Sequence, residues 1–366
     1  MGITILKPEI GQARRLLAIS DINGQLELLT GLLRRISFGD GDVLFVLGDF
    51  MENGSSPLET LRFLYGLHAE GRAYVLLGEK DLIYRELFRA DRNRELLRYL
   101  LRPGNSLISD MLREQGLSPD NEYSMAEAKR QLVSAYAELL EFLDTLPAVI
   151  ELPELVFAHA RLLPGKLDEL NTMDVIKGEA FFEKGYGFDK YVILGHWPSQ
   201  CYDLKKIEAN PLIQTEKRLI TIDGGLGRRR DGQLNCLIIE GEERNRFSYT
   251  YADQLPKAKI CHTQASGDRK NTIKSPYNEV RVLSTDGELA FCRQVKTGET
   301  FRIPKEMLSE RNGVTVTEDI TDYQLRLTEG DTVSVVLECG RGSIVKKDGV
   351  IGWYFGMLEY LPSDKE

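Results

Sequence analysis

Acidic and imidazole residues recur along the N-terminal part of the chain, each just after a short apolar run. Asp21 lies in Ser20-Asp-Ile-Asn-Gly24 and Asp49 in Leu47-Gly-Asp-Phe-Met-Glu-Asn-Gly54, while Glu79, Lys80 and Asp81 follow Leu77-Gly78. His159 lies in Phe157-Ala-His-Ala-Arg161 and His196 in Leu194-Gly-His-Trp-Pro198. A lone aspartate after a strand is ordinarily a helix cap or turn former, and a lone histidine is ordinarily structural. A series at successive strand ends carries more, because binding sites in open α/β sheets gather at the carboxyl ends of the strands. Oxygen donors mixed with imidazole suit a hard or borderline divalent ion such as Mn²⁺, Fe²⁺ or Mg²⁺. Gly48, Gly78 and Gly195 leave space in front of three of these positions.

The elements that must position these residues follow from hydrophobic spacing. Leu16–Ser20, Val43–Leu47 and Ala73–Leu77 read as buried strands, separated by helical periodicity over Gln25–Ile36 and behind Pro57. Strands alternating with helices predict a layered α/β architecture. Asp81 to Thr145 reads as mostly helical, with Ser124-Met-Ala-Glu127 in the form of a capping box. Val149–Leu152 and Leu155–Ala158 suggest a hairpin around Pro153, and Tyr191–Leu194, Leu219–Ile222 and Cys236–Glu240 read as further strands.

The texture changes near residue 255. Residues 256–275 are polar and read as a linker. Beyond them the pattern is β throughout, with a hairpin over Val280–Leu283 and Leu289–Cys292 and short strands at Gln324–Leu327, Thr332–Leu337, Gly342–Lys346 and Ile351–Phe355. Closely spaced short strands predict a small β-barrel over 276–366.

In their order, the strand-end segments resemble the calcineurin-like metallophosphoesterases, in particular the bacterial serine/threonine phosphatase branch. That family carries Asp-x-His-Gly, Gly-Asp-x-x-Asp-Arg-Gly, Gly-Asn-His-Glu, His-Ala-Gly and Gly-His-Thr. The matching segments are Asp21-Ile-Asn-Gly24, Gly48-Asp-Phe-Met-Glu-Asn-Gly54, Gly78-Glu-Lys-Asp81, His159-Ala-Arg161 and Gly195-His-Trp197, and the resemblance runs from about residue 14 to 250. It implies a two-sheet α/β sandwich with flanking helices over 1–255. It also implies two metal ions that activate a water and clamp a phosphoryl group, with Asp21, Asp49, Glu79, His159 and His196 at ligand positions.

The departures fall on the chemistry. Asn23 replaces a ligand histidine, Glu79 a ligand asparagine, and Lys80 the catalytic histidine that assists the leaving group. Asp81 replaces that histidine's glutamate partner, Asn53 the phosphate-binding arginine, and Arg161 a glycine. Asn cannot reproduce a bidentate guanidinium, and Lys is too basic for general-acid work unless desolvated. Asp21, Asp49 and Glu79 would crowd three carboxylates, for which Lys80 supplies an ammonium. Arg228-Arg-Arg230, after Asp223-Gly-Gly-Leu-Gly227, reads either as a solvated basic turn or as a patch for an anionic ligand.

These readings predict a degenerate metallophosphoesterase, a pseudophosphatase serving as a binding or regulatory module. It would hold at most one divalent ion, or none, with Asn53, Arg161 and Arg228 toward phosphate or another anion. The alternative is an active metal-dependent phosphoesterase with an altered metal site, either a serine/threonine phosphatase or a dinucleoside-polyphosphate hydrolase. A sensor of nucleotides or phosphopeptides that uses Lys80 and Arg161 is a third reading. The C-terminal barrel resembles an SH3-like domain, which implies a protein partner docking on aromatics such as Trp353 and Tyr354.

Composition bounds the rest. Lys and Arg number 47 against 56 Asp and Glu, a net charge of −9, which argues against a general nucleic-acid coat. The five scattered cysteines contain no CxxC pair for a structural zinc. No apolar run approaches a membrane span, the N-terminus has no export-signal core, and a cytoplasmic location is expected.

Overall fold

The structure, a computed structural model, describes residues 3–11, 13–89, 91–102, 104–165, 167–178, 186–202, 206–340 and 342–362. The chain divides into two compact units, one of Met1–Pro198 with Pro211–Ala252 and one of Ser199–Asn210 with Asp253–Glu366. The expected boundary at residue 255 thus falls at Ala252, and residues 199–210 join the second unit. Among the described residues no helix is long and apolar enough to cross a membrane.

The first unit is built on two sheets. One has the strand order Arg246–Ala252, Leu234–Glu240, Arg15–Ile19, Asp42–Val46, Ala73–Val75, its last three strands parallel. The other has the order Ile5–Leu6, Val149–Glu151, Leu155–Ala158, Tyr191–Leu194, Leu219–Thr221, Leu212–Gln214. Alternate side chains of a strand point to opposite faces. Leu16, Ala18, Val43 and Phe45 therefore pack with Ile150, Leu155, Phe157, Ile193 and Ile220 of the other sheet. Phe45 stacks on Phe157 with ring centroids 4.3 Å apart. The opposite set, Leu17, Ile19, Leu44 and Val46, packs against the helices. Strands covered on both faces read as continuous apolar runs, and Leu16 through Ile19 are fully buried.

Helices Leu26–Arg35 and Pro57–Ala69 occupy the two predicted helical stretches, with Pro57 in the first turn. The helical region beyond Gly78 comprises Glu79–Arg89, Asn93–Leu100, Leu107–Glu114, Glu122–Ala135 and Ala137–Thr145. The capping box sits three residues earlier than expected. Asn121 is the N-cap and Ser124 its reciprocal partner, because the Asn121 side chain reaches the N–H groups of Tyr123 and Ser124.

Among the described residues of the second unit, the elements apart from short 3₁₀ turns are strands. Its five-stranded sheet runs Val350–Tyr354, Gly342–Lys347, Thr332–Cys339, Lys257–Ile260, Leu358–Tyr360. The expected linker is therefore partly sheet. Lys257–Ile260 pairs with Thr332–Ser334 and with Leu358–Tyr360, and Thr272–Ile273 pairs with Ile320–Thr321. The predicted hairpin forms as Val280–Asp286 and Leu289–Gln294, extended by Thr300–Pro304. Gln324–Leu327 makes only isolated bridges instead of the expected strand.

Candidate metal centre

The strand-end residues converge as their spacing predicted. Asp21 follows Arg15–Ile19, Asp49 follows Asp42–Val46, Glu79 and Lys80 open the helix after Ala73–Val75, His159 follows Leu155–Ala158, and His196 follows Tyr191–Leu194. Asp21, Asn23, Asp49, Asn53 and His196 account for five of the ten described non-glycine residues with positive φ. Such conformations persist only where surrounding structure enforces them, and they concentrate at functional sites. The glycines are required by close approach. A Cβ on Gly78 would lie 2.3 Å from Asp49 Oδ1, and one on Gly48 would lie 2.9 Å from His159 Nδ1.

His159 is fully buried and its Nδ1 lies against the Leu47 carbonyl, so that nitrogen carries a proton and Nε2 faces Asp49 Oδ1 at 3.5 Å. Burial lowers its pKa, but the charges of Asp49 and Asp21 outweigh burial and raise it. His196 Nδ1 lies 4.0 Å from Glu79 Oε1. Burial, reinforced by neighbouring His159, pushes His196 down to about 4, which keeps it a neutral donor at physiological pH. One ligand atom each from Asp49, His159 and His196 fall within 4.8 Å of one another. His159 Nε2, His196 Nδ1 and Asp21 Oδ1 are buried without a hydrogen-bond partner. Buried donors left open in this way fit one divalent ion on Asp49, His159 and His196, with Glu79 adjacent.

The side chains at the companion ligand positions, Asp21 and Asn23, are engaged within the chain. The Asn23 amide nitrogen donates to the carbonyls of Asp21 and Leu226, both at 2.9 Å, and its oxygen accepts the Lys80 ammonium. That ammonium also lies 3.5 Å from Asp49 Oδ2. Asp21 Oδ2 accepts from the Ser20 hydroxyl and from the His196 N–H. Burial pushes the Asp21 carboxyl up, but His159, Arg228, Lys80 and the Ser20 hydroxyl together hold it below its ordinary value.

Arg228 turns its guanidinium toward the carboxylates of the centre while about a third of its side chain stays exposed, at 32%. Its Nη1 donates to the His196 carbonyl at 3.0 Å, and its Nη2 lies 3.4 Å from Asp49 Oδ2, 3.8 Å from Glu79 Oε1 and 3.9 Å from Asp21 Oδ1. Burial works against this charge, yet Asp21, Asp223, Asp49 and Glu79 raise its pKa further. Asp81 is buried as well. Its carboxylate accepts the N–H groups of Asp49 (2.7 Å), Gly78 (2.9 Å) and Phe50 (3.3 Å), and so fixes the Asp49 turn.

Arg161 donates through Nη2 to the side chain of Asp174 at 2.9 Å and through Nε to the Asp174 carbonyl. Asn53 lines a cavity of about 310 Å³ with Glu52, Lys80, Tyr99, Arg102, Asn105 and Ser106. Arg102 escaped the sequence reading because it follows the helix Asn93–Leu100, far from any strand end. Asp223 also escaped. It is buried, and burial and the charge of Asp21 push it up to about 7. Its position after Leu219–Thr221 was the available signal. Trp353 and Tyr354 are core residues and not a docking surface. The Trp353 indole donates to the Thr321 carbonyl at 2.8 Å, and the Tyr354 hydroxyl accepts the His262 N–H at 3.1 Å.

The sequence profile of the calcineurin-like phosphoesterases matches residues 14–217. Curated relatives include a symmetrical bis(5'-nucleosyl)-tetraphosphatase of Shewanella loihica, 26% identical over 68% of this chain and 81% of that protein. One of the same name from Pseudomonas fluorescens is 35% identical over 34% of this chain, which spans only 38% of that relative's length. A solved metallophosphoesterase from Sphaerobacter thermophilus matches with a TM-score of 0.37 and 18% identity, over 66% of this chain and 89% of that one. With its strand-end ligands in family order and the family profile matching more than half its length, the chain belongs to the calcineurin-like phosphoesterases.

Proposed function

We propose that this protein is a degenerate metallophosphoesterase, a pseudophosphatase that serves as a binding or regulatory module and holds at most one divalent ion. The observation that carries this reading is the Lys80 ammonium, seated between Asn23 and Asp49 where a second ion would need both side chains. An ion on Asp49, His159 and His196 would supply Lewis-acid polarisation of a phosphoryl oxygen. The chain's own residues leave that chemistry unassisted. Lys80 is engaged as a counter-charge, Asp81 holds backbone N–H groups, and Asn53 offers no guanidinium fork.

The competing reading is an active hydrolase acting on dinucleoside polyphosphates. The buried Asp49, His159 and His196 set and the names of the matching relatives favour it. Turnover of p-nitrophenyl phosphate and of a bis(5'-nucleosyl) tetraphosphate with Mn²⁺, alongside elemental analysis, separates the two. Background rates with one ion or fewer per chain are expected. Two ions with robust turnover abolished by Asp49→Asn would reverse the conclusion.

The second unit is the proposed contact module for a protein partner. Its five-stranded antiparallel sheet supports the SH3-like reading, and Phe355, Met357 and Tyr360, in place of Trp353 and Tyr354, are among the exposed apolar side chains of this unit, with Tyr277, Phe291 and Val295.

A further inference from the structure

We propose that Arg228 and Lys80 together stand in for one divalent ion, so that the centre is a one-metal site with a built-in second cation. The inference rests on the reading of this site as a remodelled phosphoesterase centre. It concerns what the replacements do, whereas that reading concerns what they abolish.

The geometry is specific. The Arg228 guanidinium reaches three carboxylates carried by three different strand ends, at 3.4 Å for Asp49, 3.8 Å for Glu79 and 3.9 Å for Asp21. Its other nitrogen is fixed on the His196 carbonyl at 3.0 Å, so backbone as well as charge holds it in place. Lys80 approaches Asp49 from the side of Asn23. Asn23 couples the two cations. Its oxygen receives the Lys80 ammonium, and its amide nitrogen holds the carbonyl of Leu226, two residues before Arg228. Gly225 and Gly227, at φ of 76° and 73°, give the turn that brings Arg228 inward. The loss of the ligand imidazole at position 23, the lysine at position 80 and the arginine at position 228 are thus parts of one arrangement.

The charges agree. The three carboxylates carry three negative charges, and the two side chains remove two of them. Bound to an ion, the His159 and His196 rings are neutral ligands. One divalent ion turns the remaining single negative charge into a single positive one. A second would add two more positive charges in contact with fixed cations in a partly buried site, where such repulsion is only weakly screened.

Manganese titration of the whole chain, following free Mn²⁺ by electron paramagnetic resonance, tests this, with thermal melts on the same samples. Wild type should bind at most one ion. Arg228→Gln, which removes the charge and keeps most of the length, should bind Mn²⁺ about tenfold more tightly. The double variant Arg228→Gln/Lys80→Gln should take up a second ion. Arg228→Lys, which keeps the charge, should titrate like wild type. Mn²⁺ should raise the Tm of the Gln variant more than that of the Lys variant. Equal affinity and stoichiometry in wild type and both single variants overturns the proposal. So does an Arg228→Gln variant that fails to fold even with Mn²⁺ supplied, since the hydrogen bond to His196 would then matter and the charge would not. Phosphatase turnover in the same samples is a separate readout. Robust turnover by the one-ion wild type would end the pseudophosphatase reading and leave the charge substitution standing, whereas unchanged Mn²⁺ binding would do the opposite.

Discussion

Lys80 meets Asp49 twice, its backbone N–H donating to Oδ1 at 2.9 Å and its ammonium lying 3.5 Å from Oδ2. The first contact comes from the start of the helix Glu79–Arg89, where N–H groups have no partner within the helix. The second comes from the same residue's side chain curling back. One neighbour therefore approaches both oxygens of the Asp49 carboxylate. Asp49 Oδ1 also faces His159 Nε2 at 3.5 Å, so the same carboxylate borders both the imidazoles and the Lys80 ammonium.

His159→Ala should abolish metal binding while the fold persists. The ring is fixed by the Leu47 carbonyl and offers only Nε2 to the centre. A ligand at a hundred times its Kd stabilises by about 2.7 kcal/mol. Wild type should show a Tm that rises with Mn²⁺ and falls with a chelator, and the variant should show neither response. A Mn²⁺-dependent Tm that survives in His159→Ala would place the ion elsewhere.

Gly78→Ala should be severely destabilising although it adds one methyl group. The new Cβ would lie 2.3 Å from both the Asp49 backbone nitrogen and its Oδ1, so a buried turn must move. Overpacking of this kind costs about 1–3 kcal/mol or more. Urea denaturation reads the loss. By contrast, a Cβ on Gly66, in the helix Pro57–Ala69, meets nothing within 4 Å. Gly66→Ala should therefore be neutral or slightly stabilising.

Asp81→Ala leaves the N–H groups of Asp49, Gly78 and Phe50 without their shared acceptor. The expected loss is about 2–3 kcal/mol, with Mn²⁺ affinity falling as well because the Asp49 turn loosens. If Mn²⁺ affinity holds while stability drops, Asp81 supports the fold without positioning the ligand.

Much of this centre was legible because strand ends are local. An apolar run followed by glycine and an acid or imidazole can be read without knowing the partners, and Asp21, Asp49, Glu79, His159 and His196 were found in that way. Arg228 was singled out for an anion, but its contact with the three carboxylates was not legible, because its position depends on Asn23 holding Leu226 across 203 residues of sequence. A basic triplet in a glycine-rich loop has no periodicity to betray an inward turn. The pairing of Arg161 was hidden for the matching reason, since Asp174, its partner, lies in a later helix. In the second unit, Lys257–Ile260 looked like linker because its alternate lysines are strand residues whose pairing segments begin only at Thr332. The same sheet buries Trp353, which an aromatic-groove reading had placed outside.

Asp253 gives the second unit a pH dependence of definite sign. Its carboxylate and the Lys346 ammonium are both buried, 2.9 Å apart, with Lys257 at 2.6 Å and the Ser334 hydroxyl at 2.9 Å. Burial pushes the carboxyl up, but Lys346 and Lys257 outweigh it and the folded pKa is lowered. The contribution is therefore fully present above the unfolded value of about 3.9 and is lost as pH falls through the lower folded value. Asp253→Asn should cost about 3–5 kcal/mol near neutral pH by leaving Lys346 without this counter-charge. Urea melts should show the gap between wild type and variant narrowing below about pH 4. A gap that stays constant with pH would mean the pair acts through packing alone.

Restoring the family residues should restore turnover, and only in combination. Asn23→His, Asn53→Arg, Glu79→Asn and Lys80→His return a ligand imidazole, a phosphate fork, a neutral ligand and a leaving-group acid. Position 53 has room for a longer side chain, since it borders the cavity of about 310 Å³ shared with Tyr99 and Arg102. A positioned acid or base contributes about 10²–10⁴ in rate and a preorganised charge donor about 10²–10³. These factors do not multiply, so an increase of at least about 10²-fold over wild type with Mn²⁺ is the expected result. Asn23→His also removes the amide that holds Leu226, which frees the loop carrying Arg228 but leaves its guanidinium able to contact Asp21, Asp49 and Glu79. Adding Arg228→Gln as a fifth change should therefore raise both Mn²⁺ stoichiometry and turnover above the four-fold variant. If the five-fold variant binds two ions and still fails to hydrolyse p-nitrophenyl phosphate, the replaced residues named here are not what silences the site. If the four-fold variant already matches it, Arg228 is no obstacle to the second ion.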